Sequence, residues 1–222
     1  MITSTLAGEG KTTVAVNLAF SAVGEGKKVV IVDADLRNQS VGEFFVDSDE
    51  KPGLMEYLEN PEIGITDCLR DVSGSALKFI SSASTDKRHY HIHRKAFASA
   101  LKELTLRFDY IIIDAPPCGV VADAGILCGF ADAVVYVVKQ DYVKKSQITE
   151  AVSTLYGKNA DIVGCVFNGV RRRHSRYGYG YGYGYGYGYG YGYGKYGYGS
   201  SKYGYGKSGY TPSGNDADTD EK

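Results

Sequence analysis

Thr5-Leu6-Ala7-Gly8-Glu9-Gly10-Lys11-Thr12, followed by Thr13, approximates the phosphate-loop pattern, with Thr5 in place of its first glycine. In that pattern successive backbone N–H groups and the N-terminus of the next helix wrap around phosphate oxygens. Residues 11–23 read as that helix. A glycine turn ahead of a helix can also be purely structural. Against that reading, two apolar runs downstream end in acid: Val29-Val30-Ile31-Val32-Asp33-Ala34-Asp35 and Tyr110-Ile111-Ile112-Ile113-Asp114. In an open parallel sheet the carboxyl ends of strands form the ligand crevice, so Lys11, Asp33 and Asp114 are expected to converge there.

The same apolar runs set the architecture. Strands are predicted at 29–33, 77–81, 110–114, 134–138 and 162–167, alternating with helices at 11–23, 54–59, 93–107 and 144–156. Strands apolar at every position are buried on both faces, which implies a mostly parallel sheet with helices on each side. Phe97, Ala100, Leu101 and Leu104 share one helical face and are expected to pack on the sheet. Only residues 1–4 remain for the strand that feeds the loop, about half a usual strand. A fragment, a start codon placed too far downstream and a real short form explain this equally. Cys68, Cys118, Cys128 and Cys165 lack the close spacing of a zinc or redox site and read as reduced core thiols.

The 222 residues carry a net charge of −1, but the charge is divided. Residues 1–170 hold 17 Lys/Arg against 22 Asp/Glu, whereas residues 171–222 hold eight against four. The second stretch also contains 14 of the 20 tyrosines and 15 of the 29 glycines, with a strict Tyr-Gly repeat over residues 177–194. Alternate glycines make ordering costly, and one rank of tyrosines encloses no core. A folded domain at 1–170 and a disordered Tyr/Gly-rich tail at 171–222 are therefore expected. No apolar run reaches the length needed to span a bilayer and no signal peptide is evident, so a cytoplasmic chain is expected.

The chemistry fits ATP with Mg²⁺. Lys11 and the loop amides of Gly8, Glu9, Gly10, Thr12 and Thr13 suit phosphate oxygens, while the Thr12 hydroxyl and a carboxylate suit a hard cation that retains several waters. In-line phosphoryl transfer needs an acceptor oxygen to be oriented and deprotonated, for which Asp33 is the candidate.

Ile31-Val32-Asp33-Ala34-Asp35-Leu36-Arg37 and Phe108-Asp109-Tyr110-Ile111-Ile112-Ile113-Asp114-Ala115-Pro116-Pro117 resemble the Walker A′ and Walker B motifs of bacterial tyrosine kinases of the CpsD/CapB type. The resemblance runs over residues 1–168 and implies a P-loop NTPase fold of the α/β class. It implies that Lys11 and Thr12 hold phosphate and Mg²⁺, that Asp33 and Asp35 serve catalysis and metal, that Asp114 orients the metal's water shell and that Asn168 contacts adenine. These kinases phosphorylate a C-terminal tyrosine cluster in trans, which here implies Tyr177, Tyr179, Tyr181, Tyr183, Tyr185, Tyr187, Tyr189, Tyr191, Tyr193, Tyr196, Tyr198, Tyr203, Tyr205 and Tyr210 as phosphoacceptors. It further implies regulation of capsular or exopolysaccharide biosynthesis, recruitment to the inner face of the membrane by a transmembrane co-polymerase adaptor, and a cognate phosphotyrosine phosphatase.

Three departures bear on these expectations. The family's N-terminal oligomerisation motif is missing ahead of Met1, which leaves a homo-oligomer open. Residues 85–93 replace a Pro-Asn-Pro segment; His89, His91 and His93 alternate there and read as an exposed polar loop rather than a metal site. No membrane segment is fused to the kinase. Asp35 is also readable as a partner of Arg37, and Asp123 as a helix cap. The alternative reading is a MinD/ParA-type positioning or partitioning ATPase, which shares the nucleotide motifs but carries a lysine where this chain has Leu6. A Tyr-Gly repeat acting as a passive RNA-binding module is a third possibility, although no nucleic-acid partner is expected.

Overall fold

The computed structural model describes residues 1–38, 41, 42, 44, 45, 51–60, 62–82 and 92–171. The tyrosine cluster, His89 and His91 lie outside these residues, and His93 immediately precedes a helix.

Seven strands form one sheet: β1 (Ile2–Ser4), β2 (Val29–Asp33), β3 (Arg70–Asp71), β4 (Lys78–Ile80), β5 (Tyr110–Asp114), β6 (Val134–Lys139) and β7 (Ile162–Asn168). Their order is β3-β4-β2-β5-β1-β6-β7, and every pairing is parallel except β3 with β4. The helices are α1 (Lys11–Gly24), α2 (Leu54–Glu59), α3 (Arg94–Thr105), α4 (Asp123–Leu127) and α5 (Lys145–Tyr156).

Alternation along β2 shows how the layers assemble. Val30 and Val32 face a core completed by Leu54 and Leu58 of α2, Phe97, Ala100 and Leu104 of α3, and Leu155 of α5. Val29 and Ile31 face the opposite core, where Ala15, Val16 and Ala19 of α1 meet Phe45 and Phe79. Because successive side chains of a strand point to opposite faces, one β-branched run nails helices to both sides at once. Phe97 is fully buried, so its truncation to alanine would cost about 3–5 kcal/mol.

Three expectations need correction. β7 is not buried on both faces: it lies at the sheet edge, with Val163 and Phe167 both more than half exposed. Cys165 on that strand is accordingly exposed, whereas Cys68 and Cys128 are buried and Cys118 is intermediate; all four are free thiols. Asp123 does not cap α4. It is the first helical residue, behind Ala122, and its carboxylate faces Arg37 at 3.8 Å. The short β3 and α4 carry no periodic pattern in the sequence. Among the described residues, no helix is long and apolar enough to cross a membrane.

Candidate active site

β1 runs into the loop at Thr5, and the loop runs into α1 at Lys11. Gly8 and Gly10 make this possible by adopting φ of 81° and 93°, a left-handed backbone that L side chains resist. A Cβ at Gly10 would also collide with the Asn168 amide. α1 has no side-chain cap and no acidic residue in its first turn, so its positive end is left to an external anion.

β2 and β5 lie side by side in a register that makes Asp33 and Asp114 direct neighbours, and both are fully buried. The Thr12 hydroxyl donates to Asp114 Oδ2 at 2.6 Å. Asp114 Oδ1 is buried with no hydrogen-bond partner. Asp33 accepts from the Asp35 and Val41 N–H groups, each at 3.2 Å, and the Ser82 hydroxyl approaches it at 3.5 Å. Asp35 Oδ2 lies 3.9 Å from Lys11 Nζ, and its other oxygen accepts from Asn38 N–H. Lys11, Thr12 and Asp35 are all buried.

Electrostatics follow from this crowding. Burial, then the facing Asp114 carboxylate, pushes the Asp33 pKa well above the ordinary aspartate value. Burial raises Asp114 to about 6, against the opposing pull of the Thr12 hydroxyl and Lys11. Asp35 is raised by burial as well, with Lys11 holding it back. Two adjacent buried carboxylates and one lysine leave a site short of positive charge.

A divalent cation fits that deficit. The unpartnered Asp114 oxygen beside the Thr12 hydroxyl is the donor set Mg²⁺ prefers, an ion that takes one or two protein oxygens and fills its remaining positions with water and phosphate. Among the described residues no three His, Cys, Asp or Glu side chains cluster as a self-sufficient metal cage.

The remaining expected residues are placed as follows. Thr13 is exposed on α1. The Glu9 side chain does not face the loop's concavity: it is fully buried, accepting from Leu6 N–H at 2.7 Å and Lys139 N–H at 3.3 Å. Asn168 reaches back to the loop and donates to the Glu9 carbonyl at 2.8 Å. Sequence reading passed over Lys139 and Tyr142, whose side chains donate to the carbonyls of Gly8 and Ala7. Their only signal is position, Lys139 at the last residue of β6 and Tyr142 just beyond that strand, which neighbours β1.

Comparison with known proteins decides the family. A family model described as an AAA domain matches residues 2–162. The chain is 30% identical over 179 residues to tyrosine-protein kinase CpsD of Streptococcus agalactiae, covering 80% of this chain and 77% of that one. It is 34% identical to tyrosine-protein kinase YwqD of Bacillus subtilis, covering 80% and 75%. The chain belongs to the bacterial tyrosine-protein kinases. The solved kinase domain of the Escherichia coli tyrosine kinase ETK superposes with a TM-score of 0.71 at 25% identity, covering 83% of this chain and 72% of that one. The protein is accordingly a protein-tyrosine kinase rather than a positioning ATPase.

Proposed function

We propose that this kinase transfers the γ-phosphoryl group of ATP to tyrosines of its own C-terminal cluster, in trans between copies, and in doing so regulates capsular or exopolysaccharide assembly. What supports the catalytic half most directly is the register that sets Asp33 beside Asp114, within reach of Thr12 and Lys11. Gly8, Glu9 and Gly10 offer backbone N–H groups to phosphate, and Lys11 adds charge. Thr12 and Asp114 would hold Mg²⁺, which neutralises phosphate charge when bound. Asp33 takes the phenol proton as the tyrosine oxygen bonds to the γ-phosphorus and the bond to ADP breaks. Asp35 keeps Lys11 directed into the site.

The tail supplies many acceptors on one tether, which favours a graded signal over a single-site one. A membrane adaptor would bring the kinase to the inner face of the membrane, and a phosphotyrosine phosphatase would reset it. Incubating the purified chain with Mg-ATP, with and without the cytoplasmic segment of a candidate adaptor, and mapping phosphotyrosine by mass spectrometry tests this reading. Phosphate confined to residues 177–210 and lost in Lys11→Met is the expected result; a tail that stays unmodified under both conditions rejects it.

A further inference from the structure

Three successive carbonyls of the phosphate loop each receive a side-chain hydrogen bond, two from the last residues of β6 and β7 and one from Tyr142, just beyond β6. Tyr142 Oη donates to Ala7 O at 3.0 Å, Lys139 Nζ to Gly8 O at 3.1 Å and Asn168 Nδ2 to Glu9 O at 2.8 Å. The Lys139 ammonium also sits 4.6 Å from the centre of the Tyr142 ring. The Glu9 carboxylate closes the arrangement from inside by bridging the N–H groups of Leu6 and Lys139. Tyr142 reaches the loop because Asp141 turns the chain with φ of 56°, and it fits tightly enough that a Cβ on Gly8 would come within 3.0 Å of its hydroxyl.

Planar trans peptides give this pattern a consequence. Each carbonyl and the N–H of the following residue point in opposite directions. Holding the oxygens of residues 7, 8 and 9 toward β6 and β7 therefore turns the N–H groups of Gly8, Glu9 and Gly10 the other way, and among the described residues none of these three N–H groups donates to the protein. They are left for phosphate, with no reorganisation needed on binding.

We propose that Lys139 and Tyr142 are positioning residues for the kinase reaction, bracing the phosphate loop so that its amides face the nucleotide before the nucleotide arrives. The brace couples the loop to the segment where β7 gives way to the tail, since Arg171 N–H donates to the Gln140 side chain at 2.8 Å between the two braced positions. The inference rests on the reading that the loop binds nucleotide phosphate, but its central claim concerns the empty loop.

The test pairs Tyr142→Phe, which removes one hydroxyl, with Lys139→Met, using Lys139→Arg as the conservative rescue and Lys102→Met on the exposed side of α3 as a charge-loss control. In nucleotide-free protein, hydrogen exchange of the Leu6 amide, the loop N–H that the Glu9 carboxylate holds, is expected to rise about fivefold in Tyr142→Phe and at least about tenfold in Lys139→Met. The Kd for Mg-ADP should rise by similar factors, Lys139→Arg should recover most of the loss, and Lys102→Met should match the unsubstituted chain. Global melting should be unchanged, separating loop positioning from stability. Exchange within twofold of the unsubstituted chain in both variants overturns the brace. Failure of the unsubstituted chain to bind Mg-ADP rejects the nucleotide reading instead, while the exchange data still decide the brace.

Discussion

The central strands of the sheet finish very differently at their carboxyl and amino ends. At the carboxyl ends of β2 and β5, Asp33, Asp35 and Asp114 are buried beside a single lysine. At the amino ends, β5 and β6 border a cavity of about 380 Å³ lined largely by apolar groups, among them Leu18, Phe108, Tyr110, Ile111 and Phe130. Among the described residues, one end gathers three buried carboxylates around Lys11, and the other leaves an open apolar cleft. Both cost stability, but on the reading proposed above only the first cost has a chemical return, since the carboxylates lie at the point where the sheet order reverses around β1.

Substitutions at the polar end should therefore trade activity against stability. Asp33→Asn is expected to lower phosphoryl transfer at least about a thousandfold in an Mg-ATP phosphotyrosine assay, with no loss in melting temperature. A melting temperature that falls steeply would show Asp33 to be a structural anchor and erase the contrast. Asp114→Asn is expected to cost about a hundredfold in activity while stabilising the nucleotide-free protein at pH 7 by about 3 kcal/mol, the equivalent of the rise of its pKa to about 6. Denaturant unfolding measures this directly.

The pH dependence follows from the same group. Between the ordinary aspartate value near 3.8 and about 6 the folded state holds a proton on Asp114 that the unfolded chain has released. Stability should thus fall as pH rises through that window, and the raised Asp33 should extend the fall upward. Asp114→Asn should flatten the lower part of the curve. Gly10→Ala forces a side chain into a backbone with φ of 93° and into the Asn168 amide, and is expected to cost about 1–2 kcal/mol together with nucleotide affinity. The smallest effect belongs to the other end. Ala133→Val, which adds volume to the cavity lining, should stabilise by about 0.5–1 kcal/mol and leave the Kd for Mg-ADP untouched. A changed Kd would mean that the two ends communicate.

The amino-acid order reveals the parts of this contrast that rest on dense local signals. β2 and β5 stand at the residues their β-branched runs and terminal aspartates indicate, and α2 matches its expected limits. β3 is two residues, Arg70 and Asp71, too short for any period. β7 looks as apolar as β2, but its exposure depends on being last in the sheet, which no local pattern states. Asp123 has the chemistry of a cap and is used as an ion-pair partner for Arg37, because α4 starts one residue earlier than expected for a cap. Within the site, the aspartates are legible because acid at the end of an apolar strand is rare. The burial of the Glu9 side chain, Lys139 at the last position of β6 and Tyr142 beyond it are not, since charged and polar residues in a loop or at a strand's end normally face solvent, and only the β1-β6-β7 adjacency turns them onto the loop.

The register that sets Asp33 against Asp114 also makes the empty site a store of hydrogen ions. Burial raises Asp114 to about 6 and Asp33 well above the ordinary aspartate value, so arrival of a magnesium-bound nucleotide is expected to drive hydrogen ions off the pair into the medium. The heat of nucleotide uptake will then differ between buffers of high and low ionisation enthalpy, and the slope of that difference counts the ions released.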